Sequence, residues 1–515
     1  MSFTTEEKQE FFENNKDMIL NRWNNKGGVM SEIIEEMLEE TKAKFDNFIV
    51  LDNSNTDIYS YLQNRSNILF VKPVQAGKTA DVLKVVEHLY KDHAIIFVSD
   101  KNTALAGQTN KRTSVLGYDV KDFREINDLM SAYNYIMKDS DLINTGKGKK
   151  KIAHFLMEIN NIKILIQMLS ILNVPVALFI DEGDKNRNVE SIDDEVEDTD
   201  LELPPITKGL LVCKNLLHDK KNGSKTIYIT ATPQGIMCSE KDDDRLVIYK
   251  KPYNNYVGTG LEHPVDIELV NCMQDNHCKT SQRWTGKDRY SNSFYSGVIQ
   301  GINRFIELKS KDETVKQIML LSLENRNIAQ ARLAKICESL LEKDTENSIG
   351  IMIFNGINKD KENPLLSDRI QSMTQKKIIV IAGFMAARGV SFTDFTDINN
   401  KYELVIQVHA AKKIDPLNSS LQAMRIYGAA RRTVTRPILF CNNITYQDNK
   451  YNFMECYRVC RDLAEGKKII YQDNYNPNRP LTQKSNMRYM KQGWAHNVLL
   501  FESNNSEDHE RITKL

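Results

Sequence analysis

Residues 68–79 read Ile-Leu-Phe-Val-Lys-Pro-Val-Gln-Ala-Gly-Lys-Thr, a short apolar run followed by a loop that ends in Gly-Lys-Thr. The apolar run predicts a buried strand, and a helix is predicted to follow over about residues 79–91. Glycine lets the backbone approach an anion closely, and the amide groups at the start of a helix point toward it. The stretch therefore predicts a phosphate-binding loop between a strand and a helix.

The residues of this loop have predicted roles at a bound nucleotide. The predicted nucleotide contacts are Val74, Gln75, Ala76, Gly77, Lys78 and Thr79. Lys78 would neutralise charge on the β- and γ-phosphates, and the Thr79 hydroxyl would hold a magnesium ion. The strict phosphate-loop pattern has glycine at the position of Lys72, and Gly-Lys-Thr alone is a weak signal. The strand–loop–helix context is what strengthens it.

Apolar runs of the same kind recur along the chain. Further strands are predicted at residues 94–98, 176–180 and 226–230, and a second set at 317–323, 349–354, 377–382, 404–408 and 437–441. Helices are predicted among the later strands at 325–343, 364–374 and 417–430. Fully apolar strands that alternate with helices indicate a parallel sheet covered on both faces. The predicted fold class is α/β, with two parallel-sheet lobes in tandem.

The 515 residues are enough for more than one domain. We predict a helical N-terminal cap at 1–62, a first lobe at 63–251, a linker or small insertion at 252–310, a second lobe at 311–445 and a short C-terminal extension at 446–515. The cap is inferred from apolar residues at helical spacing on both sides of Gly27-Gly28. Its purpose does not follow from the sequence.

The overall charge leaves the binding of nucleic acid open. Lys+Arg and Asp+Glu both number 69, so the formal net charge is zero. A nucleic-acid groove needs only a local basic patch, so this balance neither supports nor excludes one. Residues 189–203 are strongly acidic, which favours a solvated surface loop. Residues 147–151 are rich in lysine and fit a solvated turn or a contact with a phosphate backbone equally well.

The most apolar stretch of the chain is residues 164–180, which Asn173 and Pro175 interrupt. It is slightly short for a membrane span. It predicts instead a buried helix that ends near Leu172 and a buried strand at 176–180. Since the N-terminus also lacks the apolar run of a secretory signal, we expect a soluble cytoplasmic protein without a membrane partner.

The cysteine pattern predicts thiols rather than a disulfide framework. The chain has eight cysteines, and they lack framework spacing. Cys272, His277 and Cys278 form the only cluster that resembles a metal site. They offer three ligands and no second pair, so the prediction of zinc is weak.

Two carboxylates follow the predicted strand at 176–180. Asp181 and Glu182 come directly after this run, at the end of a parallel strand where ligands bind. Asp181 would bind magnesium, and Glu182 would orient and deprotonate the attacking water. An acidic turn that caps a strand explains the pair equally well in isolation. Their position downstream of Lys78, in what should be the same sheet, favours the nucleotide site.

The predicted strand at 226–230 is followed by Thr230-Ala231-Thr232-Pro233. A hydroxyl residue after a strand is usually a helix cap. In this context, Thr230 and Thr232 can also link the nucleotide site to a substrate groove through hydroxyl hydrogen bonds.

The second set of strands carries the predicted arginines. Arg388 and Gly389 follow the strand at 377–382, where the arginine could face a nucleotide, a nucleic-acid backbone or solvent. Residues 422–432 read Gln-Ala-Met-Arg-Ile-Tyr-Gly-Ala-Ala-Arg-Arg. If this stretch is helical, its arginines either act as an arginine finger or favour a helix C-terminus. The candidates for the finger are Arg425, Arg431 and Arg432.

Taken together, these segments resemble the ordered motifs of superfamily 2 helicases. The resemblance covers about residues 65–445, with the phosphate loop as motif I and residues 181–184 as motif II. Residues 230–233 resemble motif III, residues 382–392 resemble motif V, and residues 422–432 resemble motif VI. Each motif is weak to moderate alone, but five in the right order are a strong signal. The resemblance implies two tandem RecA-like domains that bind ATP and Mg²⁺ between them.

A narrower resemblance is to the helicase-like domains of bacterial restriction and defence systems and their phage and large-DNA-virus relatives. Residues 98–109 are similar to their motif Ia, and Tyr253 and Tyr256-Val257-Gly258 are similar to a tyrosine–glycine segment after their first lobe. Departures are Gly183 in place of the usual alanine and the lack of an evident adenine-selecting glutamine motif. The nuclease domain that often accompanies these relatives is also not evident.

The resemblance assigns roles to further residues. Gly389 and Gln422 would contact the nucleotide. The residues expected at the nucleic acid or in coupling are Gln108, Thr109, Thr230, Thr232 and Arg388. The spacing of Arg425 and Arg431 is unusual for motif VI, so the identity of the arginine finger stays open.

The expected activity is ATP-dependent movement on nucleic acid by a helicase or translocase, with DNA favoured over RNA as the partner. Bacterial, phage or viral origin is expected, and a place in a virion is compatible with it. One alternative is a motor that does not separate strands and serves a partner nuclease or a replication, transcription or virion complex. Another is an ATP-gated clamp without turnover, although a clamp has no need of a general base such as Glu182.

Overall fold

A computed structural model provides the structure of the chain. It describes residues 9, 12–13, 16, 19–20, 22–24, 27, 29–35, 37, 48–51, 62–63, 65–90, 92–100, 103–115, 117–122, 128–137, 151–182, 205–233, 236, 245–251, 256–258, 267–271, 292–322, 327–342, 348–355, 365–383, 390–394, 401–409, 421, 423–428, 433–443, 446–447 and 449–450. Most of the described residues before residue 38 are helical.

The first lobe is built on a parallel sheet, which has eight strands in the described ranges, in the order β1-β8-β2-β7-β6-β3-β5-β4. Its strands are β1 (Phe48–Leu51), β2 (Asn67–Val71), β3 (Ala94–Ser99), β4 (Asp119–Asp122), β5 (Lys151–Leu156), β6 (Val176–Asp181), β7 (Lys225–Thr230) and β8 (Leu246–Lys250). Its helices are α1 (Lys78–Leu89), α2 (Thr103–Val115), α3 (Leu129–Met137), α4 (Ile159–Ile171) and α5 (Pro205–Asp219).

The central strands of this sheet are buried on both faces. In β6, Leu178 and Ile180 pack into one apolar cluster, while Ala177 and Phe179 pack into another on the opposite face. This alternation explains the continuous apolar run, because successive side chains of a strand point to opposite faces. The predicted buried helix before it is also present, as α4.

The second lobe has its own parallel sheet, with the order β11-β12-β10-β13-β14-β9 among the strands that the structure describes. Its strands are β9 (Glu268–Asn271), β10 (Lys316–Ser322), β11 (Ile349–Phe354), β12 (Lys377–Ala382), β13 (Tyr402–His409) and β14 (Ile438–Cys441). Its helices are α6 (Asn292–Glu307), α7 (Asn327–Leu341) and α8 (Leu366–Ser372). Apolar clusters again cover both faces, with Leu320 in one and Met319 in the other.

The predicted fold class, α/β with two parallel-sheet lobes in tandem, is confirmed. Sheet membership differs from the prediction in two places. Strand β1 lies within the segment predicted as a helical cap and pairs with β8 of the first sheet. Strand β9 lies within the predicted linker and pairs with β14 of the second sheet. Both are four-residue strands at sheet edges, so they lack the long apolar run of a central strand. The bounds of the five predicted segments stay predictions.

The two lobes share one apolar cluster. Val74 and Ala76 of the phosphate loop and Ala231 after β7 pack in the same cluster as Tyr256 and Ile426. The carboxyl edge of the first sheet therefore faces the second lobe. None of the helices within the described ranges is long and apolar enough to cross a membrane.

Candidate nucleotide site

The predicted site residues of the first lobe lie at the carboxyl ends of three neighbouring strands of its sheet. Strand β7 pairs with β2 on one side and with β6 on the other. The phosphate loop follows β2, the threonine segment follows β7, and the carboxylates end β6. Since the strands are parallel and neighbouring strands lie ~4.8 Å apart, the loop and the carboxylates face each other across ~10 Å at one edge. This edge is where open parallel sheets bind their ligands.

The phosphate loop has the backbone conformation that an anion site needs. Gly77 is the N-cap of α1 and takes a φ of 85°, and a Cβ added there would meet nothing within 4 Å. The first amides of α1 lack intrahelical acceptors by geometry, and the helix dipole adds positive potential there. Lys78 is half-buried, with Nζ 3.5 Å from the carbonyl oxygen of Pro73. Open space, amide donors and an ammonium group together fit a polyphosphate.

Lys72, at the position where the strict pattern has glycine, has a structural role. Its Nζ is fully buried and donates to Oδ2 of Asp81 at 2.6 Å, while Nζ of Lys250 lies 3.2 Å from Oδ1. Burial lowers the pKa of the Lys72 ammonium to about 8, against the opposing attraction of Asp81. The backbone N–H of Lys72 also donates to the carbonyl of Thr230 at 3.2 Å. Lys72 therefore ties the base of the loop to α1, β8 and β7.

Asp181 and Glu182 stand at the end of β6. Asp181 is half-buried, and Glu182 is only 4% exposed. The N–H of Glu182 donates to the carbonyl of Ile229 at 3.0 Å and to Oδ1 of Asp181 at 3.1 Å. Glu182 takes a φ of 55°, which is uncommon for a residue other than glycine and is typical of functional sites. The Asp181 carboxylate and the Thr79 hydroxyl are hard oxygen donors, so they fit Mg²⁺.

The structure describes some of the predicted coupling residues and leaves others outside the described part of the chain. Thr230 and Thr232 are fully buried, and the N–H of Thr232 donates to Oγ1 of Thr230 at 3.0 Å. Thr109 is buried within α2. Gln108 lies in the same helix, but its side chain is outside the described part of the structure. Arg388 is also outside the described residues.

The predicted helix at 417–430 is wrong for Met424 to Gly428, which are not helical. The N–H of Ile426 donates to Oε1 of Gln407 at 2.9 Å, and the N–H of Gly428 donates to the carbonyl of Val257 at 3.0 Å. These bonds replace those to the carbonyls four residues earlier, so the segment turns and forms an antiparallel bridge. Arg425 lies in this turn and is 2% exposed.

Several predicted site residues fall outside the described residues. They are Gln422, Gly389, Arg388, Arg431 and Arg432. Their roles stay predictions, as does the choice of the arginine finger. The possible zinc cluster and the acidic stretch at 189–203 also lie outside the described residues, and among those described no group of three or more potential ligands could hold a metal ion.

The segment from Arg425 to Gly428, which we call the arginine segment, contacts the phosphate loop directly. Nε2 of Gln75 donates to the carbonyl oxygen of Arg425 at 2.8 Å, across a separation of 350 residues. Tyr256, which is fully buried, donates from Oη to the carbonyl oxygen of Val74 at 2.6 Å. Sequence reasoning assigned no role to Tyr256 and missed Gln407. A tyrosine–glycine segment was the one signal for Tyr256, and a single glutamine within β13 gave none for Gln407.

A second contact between the lobes joins α2 to α8. Nζ of Lys111 lies 2.5 Å from Oδ1 of Asp368 and 3.2 Å from Oγ of Ser367. Gly107 lies so close to Leu365 that an added Cβ would stand 2.6 Å from its Cδ2. The absence of a side chain at Gly107 therefore permits the close approach.

The other side of α2 is held to the first sheet by a buried polar network. His154 of β5 contacts Oγ of Ser99 at 2.8 Å through Nε2 and Oδ1 of Asn110 at 2.6 Å through Nδ1. Nδ2 of Asn110 in turn donates to Oδ2 of Asp122 at 3.3 Å. Burial lowers the pKa of His154 to about 4, although Asp122 acts in the opposite direction. The neutral imidazole therefore anchors α2.

Comparison with known proteins gives similarity in fold only. No protein-family profile matches the sequence, and no curated protein sequence is significantly similar to it. The DEAH/RHA helicase HrpB of Escherichia coli is 10% identical, with a TM-score of 0.44, over 74% of this chain and 40% of HrpB. S. cerevisiae Dbp5 bound to RNA and ADP BeF3 is 11% identical, with a TM-score of 0.45, over 78% of this chain and 84% of Dbp5.

A third similar structure is the DEAD-box helicase Mss116 bound to ssRNA and UDP-BeF. It is 11% identical, with a TM-score of 0.41, over 73% of this chain and 66% of Mss116. All three of these solved structures are helicases. They do not distinguish the restriction and defence group from other helicases.

Proposed function

We propose that the protein is an ATP-dependent nucleic-acid motor of the helicase or translocase type, acting on DNA. One observation carries this proposal. A phosphate loop and two carboxylates share the carboxyl edge of the first sheet, and the loop is hydrogen-bonded through Gln75 to Arg425 of the second lobe. A nucleotide at this edge would touch both lobes, so its hydrolysis would change how they meet.

The residues at the carboxyl edge of the first sheet would have separate roles in ATP hydrolysis. The amides of the loop and Lys78 would bind the phosphates, and Glu182 would accept a proton from the attacking water. Thr79 and Asp181 would hold Mg²⁺, which neutralises phosphate charge when bound. One of Arg425, Arg431 and Arg432 would stabilise charge that develops on the transferred group.

Nucleic acid would bind mainly through its backbone, on the outer side of both lobes. Gln108 and Arg388 are the expected contacts, with the buried Thr109, Thr230 and Thr232 linking them to the nucleotide site. Opening and closing of the cleft during hydrolysis would advance the strand. The preference for DNA, and service to a partner nuclease or virion complex, come from the resemblance alone.

ATP hydrolysis measured with single-stranded DNA, duplex DNA and RNA tests this function. We expect stimulation by nucleic acid and a loss of at least ~100-fold in kcat for Lys78→Ala and Glu182→Gln, because each removes a group that acts on the phosphates or the water. Lys84→Ala and Glu87→Gln are matched controls, since both residues are exposed on α1. ATP hydrolysis that no nucleic acid changes would refute the motor.

Two further assays separate the motor from its alternatives. Strand displacement together with triplex displacement indicates a helicase, whereas triplex displacement alone indicates a translocase that serves another machine. Tight ATP-dependent binding of nucleic acid with almost no turnover would indicate a clamp. The buried carboxylate of Glu182, at the same sheet edge as the phosphate loop, favours turnover.

A further inference from the structure

Three chain segments meet where the lobes touch, and we call this place the lobe junction. It consists of Val74 and Gln75 of the phosphate loop, Tyr256 and Val257, and the segment from Arg425 to Gly428. We propose that Gln75 and Tyr256 are positioning residues that hold the arginine segment in register with the phosphate loop during ATP hydrolysis. The inference rests on the proposed function and deepens it.

Tyr256 fixes the phosphate loop from the side of the second lobe. Its ring is fully buried in the cluster that the two lobes share, and its hydroxyl donates to the carbonyl of Val74 at 2.6 Å. That carbonyl precedes the loop residues whose amides would face the phosphates. A buried hydrogen bond to the backbone restricts where the loop can lie more tightly than apolar packing does.

Gln75 is a side chain at a backbone conformation that favours glycine. Its φ is 56°, a region that L-residues other than asparagine and aspartate visit rarely. The side chain at this position makes a contact that glycine could not make, the 2.8 Å bond from Nε2 to the carbonyl of Arg425. The strained backbone and this bond together point to a function for the glutamine side chain itself.

Backbone hydrogen bonds join the segment that contains Tyr256 to the arginine segment. The N–H of Val257 donates to the carbonyl of Gly428 at 2.6 Å, and the N–H of Gly428 donates back at 3.0 Å. Gly428 takes a φ of 148°, and a Cβ added there would lie 3.7 Å from Cβ of Gln75. Displacing the segment at Tyr256 would therefore move Gly428, and displacing Gly428 would move Arg425.

The second lobe holds the same segment from behind. Gln407 of β13 accepts a hydrogen bond from the N–H of Ile426 and donates to the carbonyl of Ala423 at 3.0 Å. The arginine segment thus lies between Gln407 of its own sheet and Gln75 of the other lobe. Movement of the phosphate loop would be transmitted to the arginine segment through the amide of Gln75.

Tyr256→Phe, Gln75→Met and Gln75→Gly test the proposal in the full-length chain. Phenylalanine removes only the hydroxyl, and methionine keeps the length of glutamine without its donor. We expect each to lower kcat for ATP hydrolysis ~10-fold and to change KM for ATP less than ~3-fold, since misplaced catalytic groups reduce the chemical step more than binding. The double variant Tyr256→Phe/Gln75→Met should lose less than the product of the two, because both act on one junction.

Gln75→Gly separates the side chain from the backbone conformation. Glycine adopts a φ of 56° without strain, so a purely conformational role predicts normal or improved activity in this variant. Tyr135→Phe is the matched control for Tyr256, because the Tyr135 hydroxyl donates to the carbonyl of Asp119 at 2.7 Å away from the junction. We expect Tyr135→Phe to keep the kcat of the wild type.

Hydrogen exchange provides a readout that does not depend on activity. In Tyr256→Phe and Gln75→Met, amides of Val257 and Gly428 should exchange at least ~10-fold faster than in the wild type, while amides of β10 should not change. Wild-type kcat in all three variants, or unchanged exchange at Val257 and Gly428, would overturn the positioning role and leave the proposed function standing. A wild-type chain that does not hydrolyse ATP would overturn both.

Discussion

The lobe junction and the contact between α2 and α8 differ in how buried their bonds are and in whether those bonds are ionic. At the lobe junction, the donors are the buried Tyr256, the half-buried Gln75 and backbone amides, and the acceptors are backbone carbonyls. Between α2 and α8, the principal bond is a salt bridge between Lys111, which is 41% exposed, and Asp368, which is 27% exposed. Buried polar groups are costly to leave without partners, whereas exposed ion pairs contribute about 0–1 kcal/mol.

This difference predicts different tasks for the two contacts between the lobes. The junction can hold the arginine segment at the phosphate loop to within the tolerance that catalysis requires. The contact between α2 and α8 can open at little cost, and a polyanion could replace the carboxylate of Asp368 at Lys111. Substitutions that weaken the lobe junction and the contact between α2 and α8 separately should therefore have different effects.

Gln407→Leu should have the largest effect. The substitution leaves the N–H of Ile426 and the carbonyl of Ala423 without the partner that Gln407 provides, at a cost of about 2–4 kcal/mol in the free energy of unfolding. It should also lower kcat for ATP hydrolysis at least ~10-fold, since the arginine segment loses its support. Urea unfolding and steady-state ATP hydrolysis measure the two effects.

Gln317→Leu is the matched control for this prediction. Gln317 is buried in β10, and its side-chain amide has no hydrogen-bond partner among the described residues. Replacing it with leucine should therefore be neutral or stabilising. Equal losses in Gln317→Leu and Gln407→Leu would show that any buried substitution weakens the second lobe, and would contradict the specific role of Gln407.

Acidification should loosen the α2 side through His154. The folded pKa of about 4 lies below the ordinary value of 6.5, so the unfolded chain binds the proton first as the pH falls. Stability is therefore lost on going from pH 7 to pH 5, by about 2 kcal/mol from this residue. His154→Gln should remove that part of the loss, and urea unfolding at both pH values measures it. An equal pH dependence in variant and wild type would contradict a buried neutral His154.

Asp368→Asn should have the smallest effect. Breaking the exposed salt bridge to Lys111 should change the free energy of unfolding by less than ~1 kcal/mol and leave kcat within ~2-fold. Release of Lys111 should strengthen the affinity for single-stranded DNA, most clearly at low salt. Fluorescence anisotropy with a labelled oligonucleotide measures this affinity. A ~10-fold loss of kcat for ATP hydrolysis in Asp368→Asn would instead show that the contact between α2 and α8 also positions the nucleotide site.

Sequence patterns predicted the central strands well, because burial on both faces produces a distinctive run. Strands β11 and β12 lie where they were predicted, and β6 is one residue longer. Strands β5 and β8 were missed because their residues mix lysine, histidine and tyrosine with apolar ones. The lysine that ends β8, Lys250, stays within the fold because its Nζ pairs with the buried carboxylate of Asp81.

The site was predictable only where it depends on local sequence. The phosphate loop and the carboxylates follow their strands directly, so strand order and motif were sufficient to bring them together. The turn at Arg425 was not predictable, because the bonds that replace the helix come from Gln407 and Val257. The 350-residue separation between Gln75 and Arg425 likewise leaves no local signal for the junction.

We propose that ATP and nucleic acid bind to the same pair of lobes and that each changes the affinity for the other. The most direct test is the affinity of Glu182→Gln for a labelled single-stranded oligonucleotide, measured with and without Mg-ATP. Because this variant would bind ATP without hydrolysing it, we expect ATP to tighten binding ~10-fold and the oligonucleotide to tighten ATP binding by the same factor. Equal affinity for the oligonucleotide with and without Mg-ATP would contradict the account.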